Sequence, residues 1–228
     1  MAQLYTMGEK LIILFDLDGT LIDSTEAILE TFHHSFKKHG FAHPKDEDIK
    51  ALIGYPLDVM YEELGVNKDE VWDFVTTYKE YYRVISTQKT TLIQNAKEAV
   101  IKASEFAVLG IVTTKTGTYS RILMEHFEIM HYFDVLIGRE DVDKPKPDAQ
   151  PILRALEVLD VEGKDVWMIG DTKLDLISAK NAGVNSIGVL SGYDDRETLE
   201  QYTNVTFSDA LEAVNYLKKR QKTHISFS

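Results

Sequence analysis

Short, continuous apolar runs recur along the chain and predict buried β-strands. The first is LIILF at 11–15, and similar runs follow at 108–112, 133–137, 166–169 and 186–190. An uninterrupted apolar run of this length is typical of a strand buried on both faces of a parallel sheet. Helical patterns separate the later runs, and strands that alternate with helices form an open α/β sheet. The pattern predicts a Rossmann-like α/β fold, a three-layer structure around a parallel sheet.

A long helical interval interrupts this alternation after the first strand. Between residues 24 and 94 the apolar positions have helical spacing and no convincing strand is present, and Ser24 is a suitable cap for the first of these helices. Roughly seventy residues are far more than one crossover connection needs. We therefore assign residues 1–22 and 95–228 to an α/β core and residues 23–94 to an inserted helical cap. An insertion at that point lies over the edge at which open α/β sheets bind ligands.

Two pairs of aspartates follow predicted strands. Asp16 and Asp18 come directly after the first strand, and Asp171 and Asp175 follow the run at 166–169. If both strands belong to one parallel sheet, the four carboxylates converge at its C-terminal edge. Carboxylates at such short distances repel each other unless a cation lies between them or one of them is protonated. Carboxylate oxygens are hard ligands, which suit Mg²⁺. A turn or a helix cap explains one aspartate of a pair but explains two pairs poorly.

Two further strand ends carry groups that can hold phosphate oxygens. Thr113 and Thr114 follow the second strand and offer hydroxyl groups and turn amides. Lys144 opens the segment Lys-Pro-Lys-Pro-Asp, in which the prolines fix the direction of the chain and place a cation near the carboxylates. Taken alone, the threonines are equally typical of an ordinary turn. The Lys-Pro segment, taken alone, is equally typical of a surface loop that leads into a Pro-initiated helix.

Composition narrows the class of protein. The 25 Lys and Arg residues against 37 Asp and Glu give a formal charge of −12, which disfavours nucleic acid and anionic membranes as partners. The absence of cysteine excludes disulfides, cysteine nucleophiles and thiolate metal sites. The N-terminus lacks the pattern of a signal peptide, and no apolar run reaches the length of a membrane span. We expect a cytoplasmic protein that acts on a small molecule, as a monomer or a homodimer.

Aromatic residues of the predicted cap form a stripe at helical spacing. Its members are Phe74, Tyr78, Tyr81 and Tyr82. Packing in the core of the cap explains such a stripe better than contact with a substrate. The two tryptophans, Trp72 and Trp167, carry no signal beyond packing.

The strand-end motifs, in this order, resemble those of the haloacid dehalogenase superfamily of aspartate-nucleophile phosphohydrolases. The resemblance extends from Leu11 to about Gly192, and the helical insertion is similar to the cap of its phosphoglycolate phosphatase-like and β-phosphoglucomutase-like branch. The first motif is Phe15-Asp16-Leu17-Asp18-Gly19-Thr20. The second, third and fourth motifs are Thr113, Lys144 and Gly170-Asp171-Thr172 with Asp175. The cap segment that helps to contact substrate is Leu52-Ile53-Gly54-Tyr55-Pro56.

The resemblance implies a mechanism and a role for each of these residues. Asp16 attacks phosphorus and forms an aspartyl-phosphate, while Asp18 protonates the leaving oxygen and later activates water. Mg²⁺ is held by Asp16, the backbone carbonyl of Asp18 and Asp171, with Asp175 in the outer shell. The groups implied to hold the phosphoryl oxygens are Thr113, Thr114 and Lys144. Gly54 and Tyr55 are implied to contribute to specificity from the cap.

The resemblance also suggests a substrate. Asp18 favours phosphoryl transfer over dehalogenation, because a halide leaves without a proton. Phosphoglycolate is the expected substrate of this branch, although Thr114-Lys115 stands where many phosphoglycolate phosphatases have Asn-Lys and is frequent in relatives that hydrolyse pyrophosphate. An inorganic pyrophosphatase is therefore the main alternative. A sugar phosphomutase and a binding protein without turnover are the others.

Overall fold

A central sheet of six parallel strands organises the protein, whose computed structural model describes residues 11–160 and 165–225. The N-terminal segment, for which we predict no signal peptide, lies outside the described residues. The strands of the chain are β1 (Leu11–Phe15), β2 (Ile22–Asp23), β3 (Thr91–Leu92), β4 (Ala107–Val112), β5 (Val135–Ile137), β6 (Val166–Gly170), β7 (Asn185–Val189) and β8 (Thr206–Phe207). The five strands predicted from apolar runs are all present in the central sheet, with bounds shifted by at most two residues.

Helices pack against the sheet and form the insertion. Those between β2 and β3 are α1 (Thr25–Lys38), α2 (Asp46–Lys50), α3 (Leu57–Glu63) and α4 (Val71–Ile85). Those of the α/β core are α5 (Ala96–Ser104), α6 (Gly117–His126), α7 (Gln150–Val158), α8 (Lys173–Ala182), α9 (Arg196–Leu199) and α10 (Ala210–Ile225). None of the helices in the described ranges is long and apolar enough to cross a membrane.

The order of the strands places a ligand-binding crevice at the ends of β1 and β6. The order in the sheet is β5-β4-β1-β6-β7-β8, and every neighbouring pair is parallel. From β1 the chain passes to β4 on one side, whereas from β6 it passes to β7 on the other. Chains that leave two adjacent strands in opposite directions open a crevice at the carboxyl ends of those strands.

The residues of β1 alternate between two hydrophobic cores. Ile13 and Phe15 belong to one cluster, which includes residues of α5 and α10, and Ile12 and Leu14 belong to another, which includes residues of α7 and α8. All five residues of the strand are buried. This arrangement is the three-layer α/β sandwich that the uninterrupted apolar run predicts, because a strand covered on both faces has no position that tolerates a polar side chain.

The helical insertion has a core of its own. Buried aromatic side chains fill it, and Phe74 lies at its centre, with its ring 5.3 Å from those of Phe36 and Tyr61 and 5.2 Å from that of Phe41. Tyr78 and Tyr82 are buried as the stripe predicts, whereas Tyr81 lies at the edge, where its hydroxyl donates to Glu30.

Two short strands that the sequence does not predict join the insertion to the core. β2 and β3 pair antiparallel, with Ile22 opposite Leu92 and Asp23 opposite Thr91. The chain therefore leaves the core and returns to it through one two-stranded ribbon. Strands of two residues are too short to show a hydrophobic period, which is why the interval appears wholly helical in the sequence. The division at residues 22/23 and 94/95 stays a prediction.

Phe74→Ala should destabilise the protein by about 3–5 kcal/mol, the usual cost of truncating a buried phenylalanine. Trp72 on the same helix is a matched control, because its side chain is 62% exposed and its removal leaves no cavity in the core. We expect Trp72→Ala to change the free energy of unfolding by less than about 0.5 kcal/mol. Urea unfolding followed by circular dichroism measures both values, and similar losses in the two variants would contradict the packing described here.

Candidate active site

Pairing of β1 with β6 brings the two aspartate motifs side by side. Phe15 is the register partner of Ile169, and the N–H of Asp16 donates to the carbonyl of Ile169 at 2.9 Å. The next residues of the two chains are thus at the same edge of the sheet. One carboxylate oxygen each of Asp16, Asp171 and Asp175 lies within 4.8 Å of the others, and all three side chains are buried.

The carboxylate of Asp171 is fixed from several sides. Its Oδ1 accepts a hydrogen bond from the hydroxyl of Thr20 at 3.0 Å, and its Oδ2 accepts one from the N–H of Tyr193 at 2.9 Å. A β-carbon on Gly19 would lie 2.2 Å from Oδ2, and one on Gly192 would lie 1.9 Å from it. Both positions therefore require glycine, so that the backbone can approach the carboxylate closely.

A buried lysine connects the other two carboxylates. The Nζ of Lys146 donates to Oδ1 of Asp16 at 2.7 Å, to Oδ1 of Asp175 at 2.5 Å and to the carbonyl of Val112 at 3.1 Å. Oδ2 of Asp175 accepts from the hydroxyl and the N–H of Thr172, at 2.8 and 3.1 Å, as part of the capping box that begins α8. Both oxygens of Asp175 thus have partners within the protein, and the residue holds Lys146 in place.

The structure corrects the position of the lysine in the third motif. Lys144, which we predicted to lie at the site, is exposed, and its backbone N–H donates to the side chain of Gln150. Lys146 is 3% exposed and takes the place beside Asp16. The segment contains two Lys-Pro steps, so the sequence offers two lysines. The lysine nearer to α7 is the one that the loop turns towards the sheet edge.

Asp18 lies beside the aspartate cluster at the boundary between core and cap. Its Oδ1 accepts a hydrogen bond from the hydroxyl of Ser24, and its Oδ2 lies 3.2 Å from Nζ of Lys115. Ser24 was predicted to cap α1, but its side chain makes no capping hydrogen bond there. Sequence reasoning used Lys115 only as part of the Thr114-Lys115 pair that bears on the substrate and gave the lysine no role at the site.

Lys115 is held in turn by an aromatic residue of the cap. Its Nζ donates to the hydroxyl of Tyr82 at 3.0 Å and lies 4.6 Å from the centre of that ring. The side chain of Lys115 is 9% exposed. A cation over an aromatic face is attracted by the ring quadrupole, most strongly where water is excluded.

The second motif contacts the cap segment through a hydrogen bond between Thr114 and Gly54. Thr113 is buried at the end of β4, and its hydroxyl oxygen accepts from the N–H of Lys115 at 3.1 Å. The hydroxyl of Thr114 donates to the carbonyl of Gly54 at 2.8 Å, so its side chain connects the core to the cap. Gly54 has φ +108°, and Tyr55 follows it on the wall of the cavity between core and cap.

Further hydrogen bonds hold the cap over the site. The hydroxyls of Thr25 and Tyr193 lie 3.0 Å apart, and the hydroxyl of Tyr119 donates to the carbonyl of Lys79 at 3.1 Å. Together with the bonds of Thr114 and Lys115, they connect the cap to several loops at the C-terminal edge of the sheet. The described conformation is therefore one in which the cap covers the aspartates.

Burial dominates the electrostatics of the cluster. Three ionised carboxylates (−3) and one ammonium group (+1) would give the cluster a net charge of −2. Burial raises the pKa of Asp16 to about 7, even though Lys146 opposes the shift. Burial, together with the charges of Asp16 and Asp175, raises the pKa of Asp171 well above its ordinary value. Burial by itself lowers the pKa of Lys146, but Asp16 and Asp175 outweigh that effect and keep the lysine charged.

This donor set fits a divalent cation. Its oxygen donors are hard ligands, and Asp16 and Asp171 keep lone pairs that no group of the described protein occupies fully. Two positive charges would balance the excess negative charge of the cluster. Asp175 is less suited as a direct ligand, because its oxygens accept three hydrogen bonds, one of them from the ammonium group of Lys146, whereas those of Asp171 accept two. The cluster is a candidate metal site built from the first and fourth motifs.

Comparison with known proteins identifies the family. Residues 13–189 match the haloacid dehalogenase-like hydrolase family. Pyrophosphatase PpaX of Bacillus mycoides is 30% identical over 194 residues, which cover 83% of this chain and 88% of that protein. A haloacid dehalogenase-like hydrolase from Streptococcus pneumoniae has a TM-score of 0.81 at 28% identity over 90% of this chain and 97% of that one. A predicted phosphoglycolate phosphatase from Haemophilus somnus has a TM-score of 0.83 at 22% identity, covering 92% and 99%. The match spans the strands, the cap and the aspartate motifs, and the chain belongs to the haloacid dehalogenase-like hydrolases.

Proposed function

We propose that the protein is a Mg²⁺-dependent phosphohydrolase that forms an aspartyl-phosphate on Asp16, and that inorganic pyrophosphate is its substrate. The observation that carries the proposal is the arrangement of two buried lysines around the two aspartates of the first motif. Lys146 contacts Asp16, where the transferred phosphoryl group would lie. Lys115 contacts Asp18, where the leaving group would lie.

The chemistry divides between these two aspartates. An oxygen of Asp16 attacks phosphorus, the bond to the leaving oxygen breaks, and that oxygen takes a proton from Asp18. In the second step Asp18 accepts a proton from water, which attacks phosphorus and releases Asp16 and inorganic phosphate. Each turnover consumes one water and returns both carboxyl groups to their starting state.

Lysines and threonines support these steps. Lys146 stays charged and faces the oxygens of the phosphoryl group from the side of Asp16, where it stabilises negative charge in the transition state. The hydroxyl of Thr113 and the turn amides that follow it offer further donors at the same edge. The side chain of Thr114 is already engaged with Gly54, so its contribution to phosphate binding would come from the backbone.

A divalent ion would be held by Asp16 and Asp171, with Asp175 as a positioning residue. Bound there, it would neutralise the phosphoryl oxygens and Asp16 together and orient the phosphorus for in-line attack. Mg²⁺ is the ion that such a set of a few carboxylates and a phosphate typically binds. Closure of the cap would exclude bulk water from the phosphoryl-enzyme.

Several observations favour pyrophosphate over phosphoglycolate. The relative in Bacillus mycoides carries the name pyrophosphatase, whereas the likeness to the phosphoglycolate phosphatase from Haemophilus somnus, at 22% identity, concerns the fold alone. Attraction to Asp18 and the hydrogen bond to Tyr82 keep the pKa of Lys115 above its ordinary value, although burial lowers it. A fixed cation beside Asp18 suits an anionic leaving group, which for pyrophosphate is a phosphate. Phosphoglycolate, whose carboxylate would also meet Lys115, is the second candidate.

Phosphate release from pyrophosphate should require Mg²⁺ and should fall at least about a thousandfold in Asp16→Asn, because the amide cannot act as the nucleophile. Turnover is measured against phosphoglycolate, sugar phosphates and p-nitrophenyl phosphate, with circular dichroism to confirm folding. Acid quenching of the native protein with labelled substrate should trap label on the chain, and the variant should trap none. A variant that retains turnover would exclude Asp16 as the nucleophile, and a preference for phosphoglycolate would overturn the proposed substrate.

Lys146→Met should lower kcat by about 10²- to 10³-fold, the usual effect of removing one group that stabilises transition-state charge. Lys144→Met is the matched control, since the same change is made two residues away on an exposed side chain. It should leave kcat and KM unchanged. Steady-state kinetics at saturating Mg²⁺ measure kcat and KM for both variants. A larger loss of kcat in Lys144→Met would show that Lys144, and not Lys146, is the lysine of the third motif.

Mg²⁺ affinity should fall as the pH decreases below about 7. Burial raises the pKa of Asp16 to about 7 in the metal-free protein, so below that value a proton must leave before the carboxylate can bind the ion. The expected slope is at least about tenfold per pH unit, because Asp16 releases one proton and Asp171, whose pKa is also raised, can release a second. Calorimetric titrations between pH 5.5 and 8.5, in buffers of different ionisation enthalpy, measure both the affinity and the protons released. An affinity independent of pH over this range would show that Asp16 is ionised before the metal binds.

A further inference from the structure

We infer that the cavity between cap and core binds an apolar organic group, and that the protein therefore also hydrolyses phosphate monoesters whose leaving group is a hydrophobic alcohol. This inference rests on the proposed phosphohydrolase chemistry at Asp16 but not on pyrophosphate as the substrate. The cavity, called the cap cavity below, has a volume of about 250 Å³.

One end of the cap cavity is polar and is part of the catalytic site. It is lined there by Asp18, Thr114 and Lys115. The ammonium group of Lys115 is held at this end by Asp18 and Tyr82. A leaving group that is protonated by Asp18 must therefore pass into this cavity.

The walls beyond that end are mainly apolar. They come from the cap and carry side chains that are nearly or fully buried: Ile28, Ile53, Met60, Val75, Tyr78 and Tyr82. Charged residues also line the cavity, namely Asp58, Lys79, Arg139 and Glu140. Two of these are engaged with the core, because Arg139 donates to the carbonyl of Val142 and Glu140 accepts from the N–H groups of Gly117 and Thr118.

The size and the lining of the cap cavity exceed what pyrophosphate needs. An apolar cavity of about 150 Å³ is large enough to bind benzene. A phosphate leaving group would occupy only the polar end and would gain nothing from aliphatic and aromatic walls. An apolar group gains free energy from the same walls in proportion to the area that it buries.

Trp72 provides an independent indication. It lines the cap cavity and yet is 62% exposed, whereas the only other tryptophan, Trp167, is 5% exposed. A large aromatic side chain that is half in a cavity and half in solvent can be covered by an apolar ligand. Sequence analysis found no role for this residue, since its burial could not be known.

The chemistry is that of the proposed function with an alcohol in place of phosphate. Asp16 attacks phosphorus, the bond between phosphorus and the alkyl oxygen breaks, and Asp18 gives its proton to that oxygen. Water then releases phosphate from Asp16 and restores the proton of Asp18. No oxidant, reductant or second substrate is needed.

The test is the dependence of kcat/KM on chain length for straight-chain alkyl phosphates from ethyl to hexyl, whose leaving alcohols have nearly the same acidity. We expect kcat/KM to rise by about fourfold per methylene, which is the factor for burying one such group, until the cavity is full. A flat or falling series would overturn the inference. Inorganic pyrophosphate is assayed beside the series as a separate measurement.

Binding without turnover gives a second measurement on the folded protein. In a Trp167→Phe variant, Trp72 is the only tryptophan and reports on the cap cavity. Its emission should shift to shorter wavelength with hexylphosphonate in the presence of Mg²⁺, but not with methylphosphonate, which is too short to reach it. Equal responses to the two phosphonates would contradict an apolar subsite.

A pair of variants on α4 locates the effect. Val75→Phe adds volume inside the cap cavity and should flatten the chain-length series, whereas Val84→Phe makes the same change at a position that is 64% exposed and should leave the series as it is. If both variants keep the slope, the alkyl group binds elsewhere and the inference fails.

Failure of the two proposals is distinguishable. A rising series without hydrolysis of pyrophosphate would overturn pyrophosphate as the substrate and support the apolar subsite. Hydrolysis of pyrophosphate with a flat series would support the proposed function and exclude the subsite.

Discussion

The site depends on burying three carboxylates at one edge of a sheet. Asp16, Asp171 and Asp175 lie together in an environment that opposes their ionisation, and a single ammonium group offsets only part of their charge. Each charge taken out of water costs several kcal/mol unless it is paired, so the cluster is stable only with protons, a cation or a phosphate-bound metal. The raised pKa values of Asp16 and Asp171 express this cost. The same cost would favour a divalent ion at this candidate metal site, because the ion would remove the repulsion between the buried carboxylates.

The sheet and its loops hold the buried carboxylates in a fixed geometry before any ligand binds. Asp175 keeps its place through the capping box of α8, and the same side chain orients Lys146 towards Asp16. Hydrogen bonds from Thr20 and Tyr193 hold the carboxylate of Asp171, which the backbone approaches closely at Gly19 and Gly192. Rigid donors and acceptors of this kind need little reorganisation during reaction, which is the main source of electrostatic stabilisation in active sites.

Sequence reasoning succeeds where the chemistry depends on a strand and fails where it depends on a loop. The continuous apolar run of β1 predicts both its burial and the position of Asp16 directly after it. Lys144 and Lys146 are each followed by a proline, so their local sequences are alike. Only the path of the loop into α7 distinguishes the two lysines. Ser24 has the residue type of a helix cap, but its hydroxyl instead donates to Asp18, a partner in the preceding turn. Contacts between distant segments, such as that of Lys115 with Tyr82, leave no periodic pattern in a single sequence.

The contact between Lys115 and Tyr82 would couple recognition of the proposed leaving group to the position of the cap. Lys115 belongs to the core and follows the second motif, whereas Tyr82 belongs to α4 of the cap, and Lys115 contacts both Tyr82 and Asp18. An opening of the cap would remove the aromatic partner and the burial of Lys115, so water would screen its charge and weaken its attraction to the proposed leaving group. When the cap closes, the same charge is confined to the polar end of the cap cavity. In the proposed reaction the cap would therefore act in two ways, since it would shape the space for the leaving group and also determine how strongly Lys115 can act there.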